Sequence, residues 1–159
     1  MYTDTPSKSL RQGDVIKGLL ICRAKLESYQ KVDAPMVAFK PDIEFADVVL
    51  ISQCCDIGKR PYFFVAPLEK INPHIRTQSY YGDLVAHVSG KAFNLFYYSQ
   101  TKFVEEESYI DFSKAIPVEK NRVAECLSRK AHELTIPVRD VFRKNLALNF
   151  GRAPEEDTQ

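Results

Sequence analysis

The chain has 159 residues, 45% hydrophobic and 27% charged, with a formal net charge of +1, which excludes a compositionally disordered protein and supplies enough apolar material for one core. No run approaches the roughly 18 apolar residues of a membrane helix, and the start MYTDTP lacks the basic and apolar regions of a signal peptide, so a cytoplasmic domain without membrane contact is expected. The near-neutral total hides a gradient, because residues 120–152 carry eight basic against three acidic side chains, whereas 155–157 are all acidic.

Residues 1–11 are polar and contain Pro6, which predicts a loose arm. Gln12-Gly13-Asp14 reads as a turn into a first strand over 15–23, mostly buried and interrupted at Lys17-Gly18. A polar loop follows over 25–33, then a short strand over 36–39 that Pro41-Asp42 ends. The stretch 47–68, DVVLISQCCDIGKRPYFFVAPL, is the centre of the chain. Its two apolar runs, 48–51 and 62–66, are rich in β-branched and aromatic residues and too short for ordinary helices, so both read as strands. They barely alternate, which implies a pair covered on both faces. Between them Asp56, Gly58 and Pro61 supply turn chemistry, with the Asp56 side chain expected to bond the backbone two residues on.

Residues 69–76 allow at most one helical turn. Tyr80, Tyr81, Leu84, Val85 and Val88 recur at helical spacing, predicting a short helix over 79–89 with Gly90 as its C-terminal stop. Residues 92–98 read as an aromatic strand and 101–107 as an exposed acidic segment. Short extended pieces are expected at 109–112 and 115–118, the second at an edge because of Pro117. Residues 120–134 are equally compatible with helix and strand. A final helix begins after Thr135 as N-cap with Pro137 in its first turn, and buries a stripe of Val138, Val141, Phe142, Leu146, Asn149 and Phe150. Arg139, Arg143 and Lys144 fall on its other faces and Arg152 follows it. The expectation is one α+β domain over 1–152, a bent antiparallel sheet or small SH3-like β-barrel with a short helix and a docked C-terminal helix, followed by a disordered acidic tail over 153–159.

The candidate site residues are Cys55, Asp56, Lys59 and Arg60 in the central turn, and Arg139, Arg143, Lys144 and Arg152 in the basic C-terminal segment. Loops at the end of a buried strand pair commonly carry function. A nucleophilic cysteine needs nearby positive charge, which Lys59, Arg60 or one of the three histidines could supply, although a cysteine facing the core explains the residue more economically. Cys22, Cys54, Cys55 and Cys126 show no CxxC spacing and are too scattered to indicate zinc. No metal or cofactor is expected. Gly58-Lys59-Arg60 lacks the surrounding pattern of a phosphate loop. Tyr80, Tyr81, Phe93, Phe96, Tyr97 and Tyr98 could stack bases, but suit core packing better.

At Gln12-Gly13-Asp14, residues 48–57, residues 64–68, residues 109–112 and residues 150–152, the chain resembles an uncharacterised bacterial family with a GD start, a VLSQ-x-CD strand end and a following VAPL strand. The resemblance places Cys55 and Asp56 at the Cys-Asp of that motif. The chain is also similar, more weakly, to the SH3-like barrels of MazF and PemK ribonuclease toxins, through Gly13-Asp14 and the VVLIS and FFVAPL strands. Where those toxins place Arg-Pro directly before the equivalent of Val48, this chain has Phe45-Ala46-Asp47, so Arg60 and Ser52 would be the substitutes. The leading expectation is a non-enzymatic protein interaction module of a bacterial cytosolic system, linked to toxin-antitoxin or phage-defence functions, with a protein partner. The alternatives are a MazF-like endoribonuclease acting on RNA and a thiol-dependent hydrolase using Cys55.

Overall fold

The two central apolar runs are neighbouring strands. β2, Phe39–Leu50, and β3, Tyr62–Lys70, lie antiparallel with Val48 opposite Pro67, Val49 opposite Ala66 and Leu50 opposite Val65. Val48, Val49, Leu50, Val65 and Ala66 are fully buried. Val48 and Leu50 enter one apolar cluster, and Val49 and Ile51 a second. Alternate residues therefore serve cores on opposite sides of the sheet, which is why the sequence does not alternate.

The computed structural model describes residues 1–4, 7–26, 39–53, 56–87, 94–100, 104 and 106–150. β1, Val15–Leu26, pairs with β2 on one side and with β7, Lys130–His132, on the other. β3 pairs through its first half with β6, Ile116–Glu119, and through its end with β5, Ser108–Asp111, which in turn pairs with β4, Leu95–Tyr98. The path β4-β5-β3-β2-β1-β7, with β6 branching from β3, is a curled antiparallel sheet that forms a half-barrel. With α1, Pro73–Arg76, α2, Tyr81–Val85, α3, Val123–Ser128, and α4, Ile136–Asn149, this is the expected α+β fold with a docked C-terminal helix. Among the described residues no helix is long and apolar enough to cross a membrane.

The interruption at Lys17-Gly18 is a bulge, where the β1–β2 register shifts between Ile16 and Leu19 and Gly18 takes φ +56°. One extra residue exchanges the two faces of the strand. Val15 lies in the cluster with Val49, whereas Leu19 and Ile21 join the cluster of Ile16 and Val48. Asp47 holds the bulge, its Oδ1 accepting from Gly18 N at 2.9 Å and its Oδ2 pairing with Lys17 Nζ at 2.7 Å. Beyond it the β1–β2 ribbon outruns the core. Leu20 and Phe45 face each other, as do Cys22 and Ile43, and this side is uncovered, with Phe45 70% exposed.

Several elements depart from expectation. β2 begins at Phe39 and runs through Pro41-Asp42, because β3 pairs with β2 only at Val48 to Leu50 and Pro41 sits on an edge that tolerates a missing N–H. The helix expected over 79–89 is only Tyr81–Val85. Its chain is turned by His87, in the left-handed region at φ +55°, whose N–H bonds Leu84 O at 3.2 Å. Gly90, Phe93, Arg152 and the tail over 153–159 lie outside the described residues. The ambiguous stretch 120–134 contains both α3 and β7, and Pro117 stands on the edge strand β6 as expected. Thr135 occupies the N-cap of α4 but its side chain makes no capping bond.

The N-terminal arm is not loose. Tyr2 bridges Leu134, Thr3 N donates to Glu133 O at 2.9 Å, Thr135 N donates to Met1 O at 2.9 Å, and the Tyr2 hydroxyl donates to Ser99 O at 3.0 Å. Polar composition suggested freedom, but the arm's polar groups are donors and acceptors for the segment between β7 and α4.

Candidate functional site

Two concentrations of chemistry emerge. The first is buried. Asp14 is fully buried, and the side chains of Lys130, Glu133 and Arg139 are 3%, 5% and 5% exposed. Lys130 Nζ lies 2.8 Å from Asp14 Oδ2 and 2.8 Å from Glu133 Oε2, and donates to Ser9 O at 2.7 Å. Arg139 Nη2 donates to Glu133 Oε1 and to Leu134 O, each at 2.8 Å, and Arg11 Nη1 stands 3.4 Å from Glu133 Oε1. Ser7 adds its backbone N–H and hydroxyl, each 2.7 Å from Glu133 Oε2.

The two carboxylates respond oppositely. Burial raises Asp14 to about 6 despite Lys130 and the Arg11 N–H. Burial also acts to raise Glu133, but Lys130, Ser7 and Arg139 outweigh it and hold that carboxyl down to about 2. The difference is one of donor count, since ionised carboxylates are stabilised by the hydrogen bonds they receive. This cluster joins the arm, the start of β1, β7 and α4. It acts as a rivet, since each charged side chain in it pairs with another part of the same chain, although Asp14 Oδ1 and Arg139 Nε are buried without a partner among the described residues.

Arg139 therefore corrects the sequence reading. The sequence pattern places it off the apolar stripe of the last helix, yet it lies with Phe142 and Asn145 among the buried residues of α4. Helical periodicity marked the stripe, but an arginine can join a buried face when a carboxylate and a carbonyl await it. Arg143 and Lys144 are exposed as expected, Arg143 Nη1 standing 3.4 Å from Asp140 Oδ1.

The second concentration is the turn between β2 and β3. Asp56 N donates to Gln53 O at 3.0 Å, and Asp56 O accepts from Lys59 N at 3.1 Å and from Arg60 N at 3.2 Å. Main-chain bonds close the turn, and the Asp56 carboxylate makes no hydrogen bond among the described residues. Gly58 at φ +89° supplies the conformation this closure needs, one that other residues rarely adopt. Ser52 Oγ accepts from Phe64 N at 2.7 Å and ties the two strand ends together. Cys54 and Cys55 lie outside the described residues.

Lys59 and Arg60 are exposed and form no ion pair with another described residue. Lys120 N donates to Pro61 O at 2.9 Å, bringing the turn after β6 against the start of β3. Pro61, Tyr62, Glu119, Lys120 and Asn121 line an open depression of about 440 Å³ there. Tyr62 and Phe64 are 52% and 45% exposed, whereas Phe63 and Val65, between and beyond them, are 1% and 0%. Sequence reading named Lys59 and Arg60 but missed Tyr62, Phe64 and Lys120. The alternation in YFFVA was too brief to show which aromatics face outward, and Lys120 is distant in sequence.

Other candidates resolve into structure. Cys126 is buried in the cluster of Val48 and Leu50, and burial pushes its thiol up to about 11. The histidines have separate surroundings: His132 stacks on Tyr2 at 4.6 Å, His87 on Phe96 at 4.5 Å, and His74 lies on exposed α1. Among the described residues no three His, Cys, Asp or Glu side chains group as a metal site requires. Phe96, Tyr97 and Tyr98 are buried, so they are core.

Fold and surface together define a small α+β half-barrel domain with a riveted base and a basic, aromatic rim. No family model matches the chain, and no curated protein matches its sequence.

Proposed function

We propose that the protein is a non-enzymatic interaction module of a bacterial cytosolic system, engaging a protein partner through the rim at 59–64 and the outward side of α4. The observation that carries this reading is the exposure of Tyr62 and Phe64 beside Lys59, Arg60 and Lys120, three cations without an ionic partner among the described residues. Aromatic residues and arginine are the types that most often dominate binding energy at protein interfaces. A toxin-antitoxin or phage-defence setting is the biological context we attach to it. The test is capture of partners from the native host by the tagged full chain, beside Lys59→Glu/Arg60→Glu and Arg143→Glu/Lys144→Glu variants. Recovery of one protein in stoichiometric amount by wild type, and its loss with either variant, supports the reading. Indifference to both variants refutes it.

A second reading, a MazF-like endoribonuclease, draws support from Ser52 and Arg60 lying at the two ends of the same turn. It predicts that induced expression arrests growth and that Arg60→Ala relieves the arrest. Arrest that Arg60→Ala leaves intact removes Arg60 from that role.

A further inference from the structure

Among the described residues, most exposed cations are already paired. Lys17 pairs with Asp47, Arg23 with Glu44, Lys70 with Glu106, Arg76 with Glu107, Lys114 with Glu69, and both Arg122 and Arg129 with Glu125. Lys8, Lys59, Arg60, Lys120 and Lys144 are exposed without an ion pair among the described residues, and three of these meet at the start of β3: Lys59 and Arg60 directly precede Pro61, whose carbonyl accepts from Lys120 N, and Lys120 lines the depression there. Two anions lie nearby: Glu119, which lines the depression and accepts a hydrogen bond from Asn121 Nδ2 at 2.9 Å, and Asp56, whose carbonyl accepts from Lys59 N and Arg60 N; neither forms an ion pair with the three cations, which outnumber them. The cations sit on short, main-chain-braced segments, so their backbone anchors are fixed before any partner arrives.

We infer that the depression bounded by Pro61, Tyr62 and Lys120 docks an extended acidic segment of a partner protein, its carboxylates meeting Lys59, Arg60 and Lys120 and one apolar side chain lying against Tyr62. This deepens the interaction reading above and rests on it. Charge complementarity sets the sign of the occupant. The face of Tyr62 supplies the apolar contact that a purely ionic encounter in water lacks, because exposed ion pairs alone contribute little. Phe64, two residues on and therefore on the same face of β3, extends that contact by one strand repeat. An extended occupant suits a shallow, open site better than a helix, since backbone and alternate side chains can both reach the floor.

The experiment titrates the full-length protein with a fluorescent synthetic peptide of glutamate and aspartate carrying one central leucine. A matched peptide without leucine and a single-stranded oligouridylate are titrated beside it. Wild type should bind the leucine peptide, and affinity should fall several-fold between about 50 and about 300 mM salt. Lys59→Glu/Arg60→Glu and Tyr62→Ala should each weaken it about tenfold, while Arg143→Glu/Lys144→Glu leaves it unchanged. All altered side chains are exposed, and circular dichroism of each variant is recorded alongside to check that it folds. Equal binding by all variants, no binding by wild type, or oligouridylate binding in place of the peptide would overturn the inference. If the cellular partner survives Lys59→Glu/Arg60→Glu but is lost with Arg143→Glu/Lys144→Glu, the interaction role stands and this site is removed from it.

Discussion

Gly13 and Gly58 form a matched pair for separating backbone strain from packing. Each is the third residue of a four-residue turn closed by a main-chain bond, Asp14 N to Arg11 O at 3.0 Å in one case and Lys59 N to Asp56 O at 3.1 Å in the other. Each has φ +89°. Their surroundings differ completely. A Cβ on Gly13 would stand 2.5 Å from Leu134 Cδ1 and 3.8 Å from Phe142 Cγ, whereas one on Gly58 would meet nothing within 4 Å. Leu134 and Phe142 are both fully buried, so the collision has no easy exit. Positive φ costs an L-residue roughly 1–2 kcal/mol, and forcing a methyl into a packed core costs roughly another 1–3 kcal/mol. Gly58→Ala should therefore lose about 1–2 kcal/mol and Gly13→Ala about 2–5 kcal/mol. The entropy lost from the unfolded chain is common to both substitutions and cancels in the comparison. Urea titration of the two variants side by side reads the difference. Equal destabilisation would refute the claim that Gly13 is required by Leu134 as well as by its turn.

Lys130→Met should cost about 3–5 kcal/mol, because it strands Asp14 and Glu133 as buried carboxylates without their shared cation, and hydrogen exchange should show the arm loosening with it. A loss under about 1 kcal/mol would show that the rivet is not ionic. The two carboxylates also give the protein opposing pH dependences. Glu133, held low, contributes stability that is fully present above about 4.5 and is lost as pH falls toward about 2. Asp14, raised from 3.8 to about 6, binds its proton more tightly folded than unfolded, so its contribution declines as pH rises across that window. The stability difference between wild type and Asp14→Asn should accordingly shift against wild type from pH 4 to pH 6, and a flat difference would contradict the burial argument. At the helix starts, Asn72→Ala should cost about 1 kcal/mol because Asn72 Oδ1 accepts from Ile75 N at 3.0 Å. Thr135→Ala, which loses no capping bond, should fall within about 0.5 kcal/mol of wild type in the same thermal melts.

The sequence by itself determined the central strand pair, an interruption at Lys17-Gly18, the turn at 56–61, the edge position of Pro117 and the existence of α4. Each follows from local rules: unalternating β-branched runs require burial on two faces, glycine relaxes φ, proline avoids interior ladders, and an apolar stripe at helical spacing seeks a sheet. Tertiary structure alone decided where the charges went. Arg139 reads as surface because periodicity counts it among polar residues, and it becomes buried because Glu133 and the Leu134 carbonyl meet it across the start of α4. The same holds for the arm, whose polar residues look solvated until the segment between β7 and α4 lies alongside them. The rim at Tyr62, Phe64 and Lys120 likewise exists only once the turn after β6 packs against the start of β3. Backbone preferences act over a few residues and leave marks in a short window, whereas the partner of a buried ion or the neighbour of an exposed ring is chosen by chain segments that meet only on folding.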